Sequence, residues 1–197
     1  MSIKTNPTLL QGEWNVGYAL DCHTLKSVPI GVNPFGRTQY DTTRSEIGEL
    51  LYRFKYKSDY DCLEPIVDAA VGLLDADPEM KDVKSVIPVL PTMRRDYQPV
   101  FEIAKALASK IGAYCPTDVL EKTSSFPAKS LSSYAGHDQK IEIVQRMQAN
   151  YLHNILLVDD ICKTGTTLNQ CVRVLRKDPN IGKIFVLVIT KAGSESL

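Results

Sequence analysis

The chain has 197 residues, 44% of them hydrophobic, which suffices for a buried core and is typical of one domain. Its 23 basic and 23 acidic side chains balance, so the whole-chain charge does not indicate binding to nucleic acid or to an anionic membrane. The five cysteines are widely spaced and form no CxxC pair or Cys/His cluster, which argues against a disulfide framework and a structural zinc site.

The N-terminal third predicts one strand and two helices. Residues 1–7 lack the apolar core of a signal peptide and no segment reaches the length of a membrane span, so we expect a cytoplasmic protein with no membrane partner. A strand is predicted around Trp14 to Leu20. Thr43 and Glu46 have the spacing of a capping box at the start of a first helix. Apolar residues at helical spacing predict a second helix over 63–74.

Four apolar runs further along the chain predict buried strands. Runs without alternating polar residues are typical of parallel strands that are covered on both faces of a sheet. The runs are Val86 to Leu90, a weaker one at Val119-Leu120, Ile155 to Val158, and Ile184 to Ile189. They predict a sheet whose two faces are both buried.

Helical segments lie between these runs. Residues 100–111 have one apolar face, with Pro99 near the start and Gly112 just past the end. A second helix follows Gly165 and connects the last two strands. This alternation predicts an α/β fold with a mostly parallel open sheet and helices on both faces. We expect a single domain over 1–197, in which about residues 1–78 form an N-terminal extension or hood on an α/β core of about 79–197.

The segment from Ile155 to Leu168 combines a strand, two acids and a hydroxyl-rich turn. In open α/β sheets, ligands bind beyond the carboxyl ends of the strands. A helix N-terminus suits a phosphate because of its unpaired amides and partial positive charge, whereas a carboxylate pair accepts hydrogen bonds from sugar hydroxyls. The segment therefore predicts a ribose 5-phosphate ligand, with Asp159 and Asp160 at the hydroxyls and residues 163–167 at the phosphate.

A simpler explanation of the same segment is that the two acids cap the helix and the threonines form a polar turn. It accounts for some of these residues but not for all of them. The GxxxxGK[ST] pattern of the Walker loop is absent, so the phosphate site is of another kind.

The segment resembles the signature of the type I phosphoribosyltransferases: four apolar residues, two acids and, after three further residues, Thr-Gly-x-Thr. Every position of that signature is matched. The resemblance implies the type I phosphoribosyltransferase fold and binding of 5-phosphoribosyl-1-pyrophosphate. It places Asp159 and Asp160 on the ribose hydroxyls. It places the 5-phosphate on Lys163, Thr164, Gly165, Thr166 and Thr167.

A wider resemblance, over about two thirds of the chain, is to the ComF-like group of competence-related amidophosphoribosyltransferase homologues. It rests on Gly48-Glu49-Leu50-Leu51 followed by Phe54-Lys55-Tyr56, on Ile87-Pro88-Val89-Leu90-Pro91, and on Lys129-Ser130-Leu131. The sequence departs from that group in lacking paired N-terminal cysteines, in having Arg95-Asp96-Tyr97-Gln98 where Arg-Gly-Phe-Asn is usual, and in having Lys163 where threonine is commoner.

The loop after the first core strand is the candidate for a second anion site. In the family this loop contacts pyrophosphate, which assigns pyrophosphate binding to Thr92, Met93, Arg94 and Arg95. The alternative is that both arginines are ordinary solvated charges.

A long segment from Glu121 to about Asp138 is rich in serine, lysine and glycine, has no clear periodicity and predicts a loop. The family closes such a loop over the substrate to exclude water, so Lys122 and Lys129 would supply positive charge there. The alternative is a surface loop with incidental lysines.

The resemblance implies Mg²⁺ as a cofactor that chelates pyrophosphate and ribose hydroxyls, with no direct protein ligand expected. No side-chain nucleophile is needed, because an acceptor nitrogen would attack C1 of the ribose while charged groups stabilise the departing pyrophosphate. The three histidines are isolated from one another and form no Cys/His cluster, which favours packing roles over metal ligation. The expected catalytic residues are Asp159, Asp160, Arg94, Arg95, Lys122 and Lys129.

Two functions remain open on the sequence. The first is an enzyme that transfers a phosphoribosyl group to or from a nitrogen acceptor, using 5-phosphoribosyl-1-pyrophosphate or a nucleotide that contains ribose 5-phosphate. The second is a non-catalytic module that senses such a ligand and controls a protein partner, in DNA uptake or processing by the ComF resemblance. A response-regulator phosphorylation site is a weaker third, because an acceptor aspartate needs no phosphate cradle downstream. The oligomeric state, a homodimer included, is left open.

Overall fold

Nine strands and four α-helices make up the part of the chain that the computed structural model describes, which is residues 3–91, 97–124 and 141–193. The strands are β1 (Thr8–Leu9), β2 (Val16–Cys22), β3 (Thr24–Val32), β4 (Thr38–Arg44), β5 (Val83–Pro88), β6 (Leu120–Ser124), β7 (Ile141–Gln145), β8 (His153–Cys162) and β9 (Ile181–Lys191). The helices are α1 (Glu46–Tyr56), α2 (Leu63–Ala76), α3 (Pro99–Ile111) and α4 (Thr166–Leu175). No helix among these residues is long and apolar enough to cross a membrane.

The central sheet has five strands in the order β1-β2-β9-β8-β5. Strand β1 runs antiparallel to β2, and the pairs β2–β9, β9–β8 and β8–β5 are all parallel. The predicted α/β fold with a mostly parallel sheet is therefore confirmed. The first 78 residues contribute β2 to this sheet, where it lies directly beside β9.

Each face of the sheet is covered by its own apolar core, because successive strand residues point to opposite faces. On β8, Leu156 and Val158 pack into the core beneath α1, α2 and α3. Ile155 and Leu157 pack into the other core, with α4 and the β6–β7 pair. Strand β9 alternates in the same way. Two-sided burial explains why these strands are uninterrupted apolar runs in the sequence.

Two antiparallel strand pairs lie outside the central sheet. Strands β3 and β4 form a largely exposed ribbon, and β6 pairs with β7 from Leu120 opposite Gln145 to Ser124 opposite Ile141. The prediction that Val119-Leu120 belongs to the parallel sheet is therefore wrong, although both side chains are buried beneath it. The loop predicted from Glu121 is also wrong over 121–124, which are strand residues.

Helix α1 is capped by Ser45 and not by Thr43. The Ser45 hydroxyl accepts a hydrogen bond from the Gly48 amide at 3.1 Å and donates to the Cys22 carbonyl oxygen at 2.5 Å. Thr43 lies in β4, two residues before the cap. The predicted capping box was therefore wrong in position, whereas the predicted helices α1, α2 and α3 are confirmed. Helix α3 ends at Gly112, whose φ of 68° is left-handed.

Replacing Ser45 with alanine is expected to lower the free energy of unfolding by about 1–2 kcal/mol, because the first turn of α1 and the Cys22 carbonyl each lose a partner. Urea unfolding measures the change. Thr43→Ala, at the exposed position first predicted as the cap, is the matched control and should change stability by less than about 0.5 kcal/mol. Equal losses in the two variants would contradict the assignment of Ser45 as the cap.

Candidate functional site

A concavity of about 240 Å³ lies where the carboxyl ends of β5 and β8 meet. It is bounded by segments from five parts of the chain: the end of α1, the residues after β5, the start of α3, the end of β8 and the start of α4. The residues that line it are Lys55, Tyr56, Val89, Leu90, Pro91, Gln98, Pro99, Val100, Asp159, Asp160, Ile161 and Thr167. In open α/β sheets, ligands bind at these carboxyl ends of the strands.

The two predicted acids lie near the carboxyl end of strand β8 and point to opposite sides of the sheet. Asp160 points to the side of α1, where Lys55 meets it. Asp159 points to the side of β6 and α4, as Leu157 does two residues earlier. The Asp160 amide donates to the Asp159 carboxylate at 2.9 Å. The two carboxylates thus lie on opposite faces of one strand, and both line the same concavity.

Lys55 forms an ion pair with the second acid. Its Nζ lies 2.8 Å from Oδ2 of Asp160, and the two side chains are only 12% and 17% exposed. Such partial burial strengthens the attraction relative to a fully solvated pair. A ligand that donates hydrogen bonds to Asp160 must therefore compete with an ammonium group already in place.

The first acid is held in an unfavourable environment for its charge. Burial and repulsion by the neighbouring Asp160 raise the pKa of Asp159 to about 7. A hydrogen bond from the Asp160 amide and the positive charges of Lys55 and Lys122 act in the opposite direction. Carboxylates with a strongly raised pKa in a concavity are typical of functional sites.

The turn at 163–167 leads directly from β8 into α4. Gly165 precedes the helix with a left-handed φ of 77°, and the Thr164 and Thr166 hydroxyls lie 2.9 Å apart. Amides in the first turn of a helix have no partner within the helix, so the end of α4 presents donors and a partial positive charge. Of the five predicted phosphate residues, Thr167 lines the concavity itself.

Trp14, the only tryptophan of the chain, packs behind this turn. The residue is 8% exposed and its Nε1 donates to the Leu10 carbonyl oxygen at 3.1 Å. A Cβ added to Gly165 would lie 3.8 Å from the ring. A Cβ at Gly17 would come within 2.4 Å of Nε1, so glycine is required there for the ring to fit. The indole is therefore a built-in neighbour of the candidate phosphate turn.

Lys122 lies in strand β6 and its ammonium group is not free in solvent. It donates to the carbonyl oxygens of Leu90 at 3.0 Å and Pro91 at 2.9 Å, and burial lowers its pKa. It thereby fixes the segment that leaves β5 and lines the concavity. The prediction that Lys122 belongs to a long loop is wrong, because the residue lies in β6. The remaining predicted residues Thr92, Met93, Arg94, Arg95 and Lys129 lie outside the described residues.

Several residues at the site were not predicted from the sequence. Lys55, Tyr56 and Gln98 line the concavity, and Gln98 also precedes the first turn of α3. His23 lies next to it, because its Nδ1 is 3.1 Å from the Thr190 hydroxyl, which in turn donates to the Asp160 carbonyl oxygen at 3.4 Å. Burial and the nearby Arg44 and Lys55 lower the pKa of His23.

One sequence signal did point to part of this set. Lys55 and Tyr56 belong to the Phe54-Lys55-Tyr56 stretch on which the ComF resemblance rests, although that resemblance gave them no role. His23 had no signal of its own, since it becomes a neighbour of Asp160 only through the pairing of β2 with β9 and of β9 with β8.

The chemistry of the site fits Mg²⁺ shared with a ligand. No group of three or more His, Cys, Asp or Glu side chains suited to a metal occurs in the described part of the chain. Mg²⁺ commonly binds through one or two carboxylates together with substrate phosphate oxygens. Asp159 and Asp160 point to opposite sides of the sheet, so they would meet Mg²⁺ through the hydroxyls of a bound ligand, with pyrophosphate supplying the direct oxygens.

Comparison with known proteins agrees with the fold. The family model described as the phosphoribosyl transferase domain matches residues 101–195, just under half of the chain. Adenine phosphoribosyltransferase from Trypanosoma brucei, solved with AMP, pyrophosphate and ribose-5-phosphate, superposes with a TM-score of 0.50 at 12% identity over 93% of this chain and 74% of that one. The enzyme from Saccharomyces cerevisiae, with an imino-altritol bisphosphate and adenine, gives 0.48 at 14% identity over 83% and 84%.

No protein of curated function matches the sequence. The family match shows that residues 101–195 carry the sequence pattern of a phosphoribosyl transferase domain. The α/β fold is that of the type I phosphoribosyltransferases.

Proposed function

We propose that the protein is a phosphoribosyltransferase that binds 5-phosphoribosyl-1-pyrophosphate and transfers its phosphoribosyl group to or from a nitrogen acceptor. The observation that carries the proposal is the continuity of the acid pair with the turn into α4 at one edge of the sheet. One end of the site suits a diol and the adjoining end suits a phosphate. Ribose 5-phosphate has both groups.

Asp159 and Asp160 accept hydrogen bonds from the two ribose hydroxyls in this proposal. A carboxylate offers several lone-pair positions and binds a hydroxyl more strongly than a neutral acceptor does. The ion pair with Lys55 must open, or share Asp160, when the hydroxyls bind. The ammonium group of Lys55 then lies beside an anionic substrate, which favours its release from the acid.

The 5-phosphate is bound by the turn Lys163, Thr164, Gly165, Thr166 and Thr167 in this proposal. The amides of the first turn of α4 donate to its oxygens, with the threonine hydroxyls as further donors. Gly165 has the left-handed conformation that allows the backbone to close around the anion without a side chain in the way.

The pyrophosphate is assigned to the segment that follows Pro91. Thr92, Met93, Arg94 and Arg95 are proposed to bind it, because they continue directly from residues that line the concavity. Lys122 acts as a positioning residue for this segment through the Leu90 and Pro91 carbonyls. Lys129 is proposed as a further cation. When bound, Mg²⁺ neutralises pyrophosphate charge next to Asp159 and Asp160.

In the transfer step, the acceptor nitrogen attacks C1 of the ribose on the face opposite the pyrophosphate. The N–C1 bond forms, the bond from C1 to the pyrophosphate oxygen breaks, and pyrophosphate leaves with the bonding pair. The proton on the nitrogen is then lost to solvent. Positive charge develops on the ribose ring, so fixed carboxylates and the exclusion of water lower the barrier. No side chain forms a covalent bond.

The acceptor is proposed to enter beside Tyr56 and Gln98. These residues line the concavity, and Tyr56 comes from the N-terminal third, which we expect to act as the hood that selects the acceptor. A placement in the ComF-like group is supported by the same region. Two of the stretches that carry that resemblance, at 54–56 and 87–91, contribute residues to one concavity.

Intrinsic fluorescence of Trp14 provides the binding test, because the ring lies behind the phosphate turn. Titration with 5-phosphoribosyl-1-pyrophosphate and Mg²⁺ is expected to give a saturable change in emission, and ribose 5-phosphate a weaker one. Pyrophosphate release is then measured across purine bases, pyrimidine bases and amines. Turnover with any acceptor supports the enzyme. Saturable binding without turnover would indicate the sensing module instead, and the absence of any binding in calorimetry would contradict both.

A further inference from the structure

A second concavity, of about 210 Å³, lies toward the amino ends of β8 and β9. It is lined by residues of β5, β7, β8 and β9, by the segment between α3 and β6 and by residues 147–151. His153 in this concavity and Asp159 in the first are six residues apart on β8, which corresponds to about 20 Å of extended strand. The two concavities have no lining residue in common.

The floor of this second concavity is apolar and its rim is aromatic. Ile87, Val119 and Ile155 form the floor and are buried in the core on the α4 side of the sheet. Tyr114 and Tyr151 lie at the rim and are 66% and 61% exposed. Large apolar side chains that stay in solvent around a concavity are typical of a binding site.

The outer wall of the concavity is held in place by a buried carboxylate. Asp178 is 3% exposed and accepts hydrogen bonds from the Gln145 side chain and the Ala149 amide, both at 2.7 Å, and from the Asn180 amide at 2.9 Å. The Asn180 side chain donates to the Ala149 carbonyl oxygen at 2.6 Å. Segment 147–151 is thus fixed before any ligand arrives, which removes an ordering cost from binding.

One polar pair lies among the apolar lining residues. The His153 Nδ1 is 2.8 Å from the Tyr151 carbonyl oxygen, which accepts only, so Nδ1 carries the proton. In the neutral imidazole, the His153 Nε2 then accepts the Ser85 hydroxyl proton at 3.0 Å. The Ser85 oxygen retains a lone pair, and this gives a ligand with an N–H group one acceptor inside the concavity.

The chemistry of the lining selects the class of ligand. No Lys, Arg, Asp or Glu lines this concavity within the described residues, so a phosphate or carboxylate would be desolvated without a partner. An apolar cavity of about 150 Å³ accommodates benzene, and this concavity is somewhat larger. We propose that it is a second binding site, for an uncharged planar heteroaromatic molecule of one or two rings that stacks on Tyr151 and donates an N–H group to Ser85.

The stacking surface is already positioned. The rings of Tyr151 and His153 are 4.8 Å apart and tilted by 38°, so the histidine that contacts Ser85 also packs against the Tyr151 ring. A flat ring between Tyr151 and the Ile87–Ile155 floor would bury both of its faces. This proposal does not depend on the function of the first site.

Ligand-observed NMR titration with indole and benzimidazole tests the proposal. Both probes are expected to bind the full-length protein saturably, with dissociation constants on the order of 1 mM, and benzoate much more weakly. Tyr151→Ala should weaken binding of the two probes roughly three- to tenfold. Tyr40→Ala, which removes a tyrosine of similar exposure from strand β4, is the matched control and should leave binding unchanged.

Displacement separates this site from the first one. Indole binding should persist when ribose 5-phosphate is added and in the Asp159→Asn, Asp160→Asn double variant. Displacement by ribose 5-phosphate would place the probes in the first concavity and overturn the proposal, as would equal affinity of the wild type and Tyr151→Ala. Absence of probe binding together with a dimer that Tyr151→Ala dissociates would assign the surface to a second copy of the chain.

Discussion

The Asp159→Asn, Asp160→Asn double variant is expected to bind 5-phosphoribosyl-1-pyrophosphate at least about a hundredfold more weakly than the wild type. Each carboxylate is proposed to accept a ribose hydroxyl, and a hydrogen bond to a charged group contributes about 1.5–3 kcal/mol. Asparagine preserves the shape of each side chain but replaces the charge with an amide. Titration calorimetry and Trp14 fluorescence both measure the loss.

The single variants locate the effect. Each is expected to lose about tenfold or more, and Asp118→Asn, at an exposed position before β6, is the matched control that should lose nothing. Undiminished binding by the double variant would contradict the proposed site, whatever the acceptor. Urea unfolding of the same proteins shows whether a loss of affinity comes from the site or from the fold.

Asp159→Asn is expected to raise the free energy of unfolding at pH 8 by a few kcal/mol. The pKa of Asp159 is about 7 in the folded protein against 3.8 for an unperturbed carboxyl. The folded state therefore holds the proton more tightly than the unfolded state, and stability falls as pH rises from about 4 to 7. Each unit of pKa difference corresponds to about 1.36 kcal/mol. A neutral asparagine removes this cost, which is complete above pH 7.

Unfolding by urea at a series of pH values checks the sign. The gain from Asp159→Asn should be large at pH 8 and small near pH 4, whereas Asp118→Asn should give no such trend. Lys55→Met removes a charge that lowers the pKa of Asp159, so the pH-dependent decline should extend to higher pH, and Lys57→Met is its control. A gain from Asp159→Asn that is the same at both pH values would contradict the raised pKa.

Much of the fold was predictable because its strands are buried on both faces. The runs in β5, β8 and β9 have no polar interruption, and the helical spacing of α2 and α3 is equally clear. The β3–β4 ribbon was missed although Val28, Ile30 and Val32 alternate in β3. Proline and glycine stand between them, as is typical of turns, and the ribbon lies largely in solvent. Val119-Leu120 was misassigned because burial under a sheet and burial within it leave the same apolar signal.

The site was predictable where it is local in sequence and unpredictable where it is assembled across the chain. Asp159, Asp160 and the turn to Thr167 lie within nine consecutive residues, so their spacing alone indicated a sugar phosphate. The ion pair of Lys55 with Asp160 joins residues more than a hundred positions apart. The hydrogen bonds from Lys122 to the Leu90 and Pro91 carbonyl oxygens likewise depend on how β6 lies against the end of β5.

The strand order bears on how the chain can be divided. Residues 101–195, which match the family model, include β8 and β9 but neither β2 nor β5, and these two strands flank that pair on either side. A fragment cut at those limits would have two bare edges with unpaired amides and carbonyls, a template for aggregation. The segment that matches the family model therefore needs β2 and β5, which precede it in the chain, to cover its edges. Expression should begin before β1.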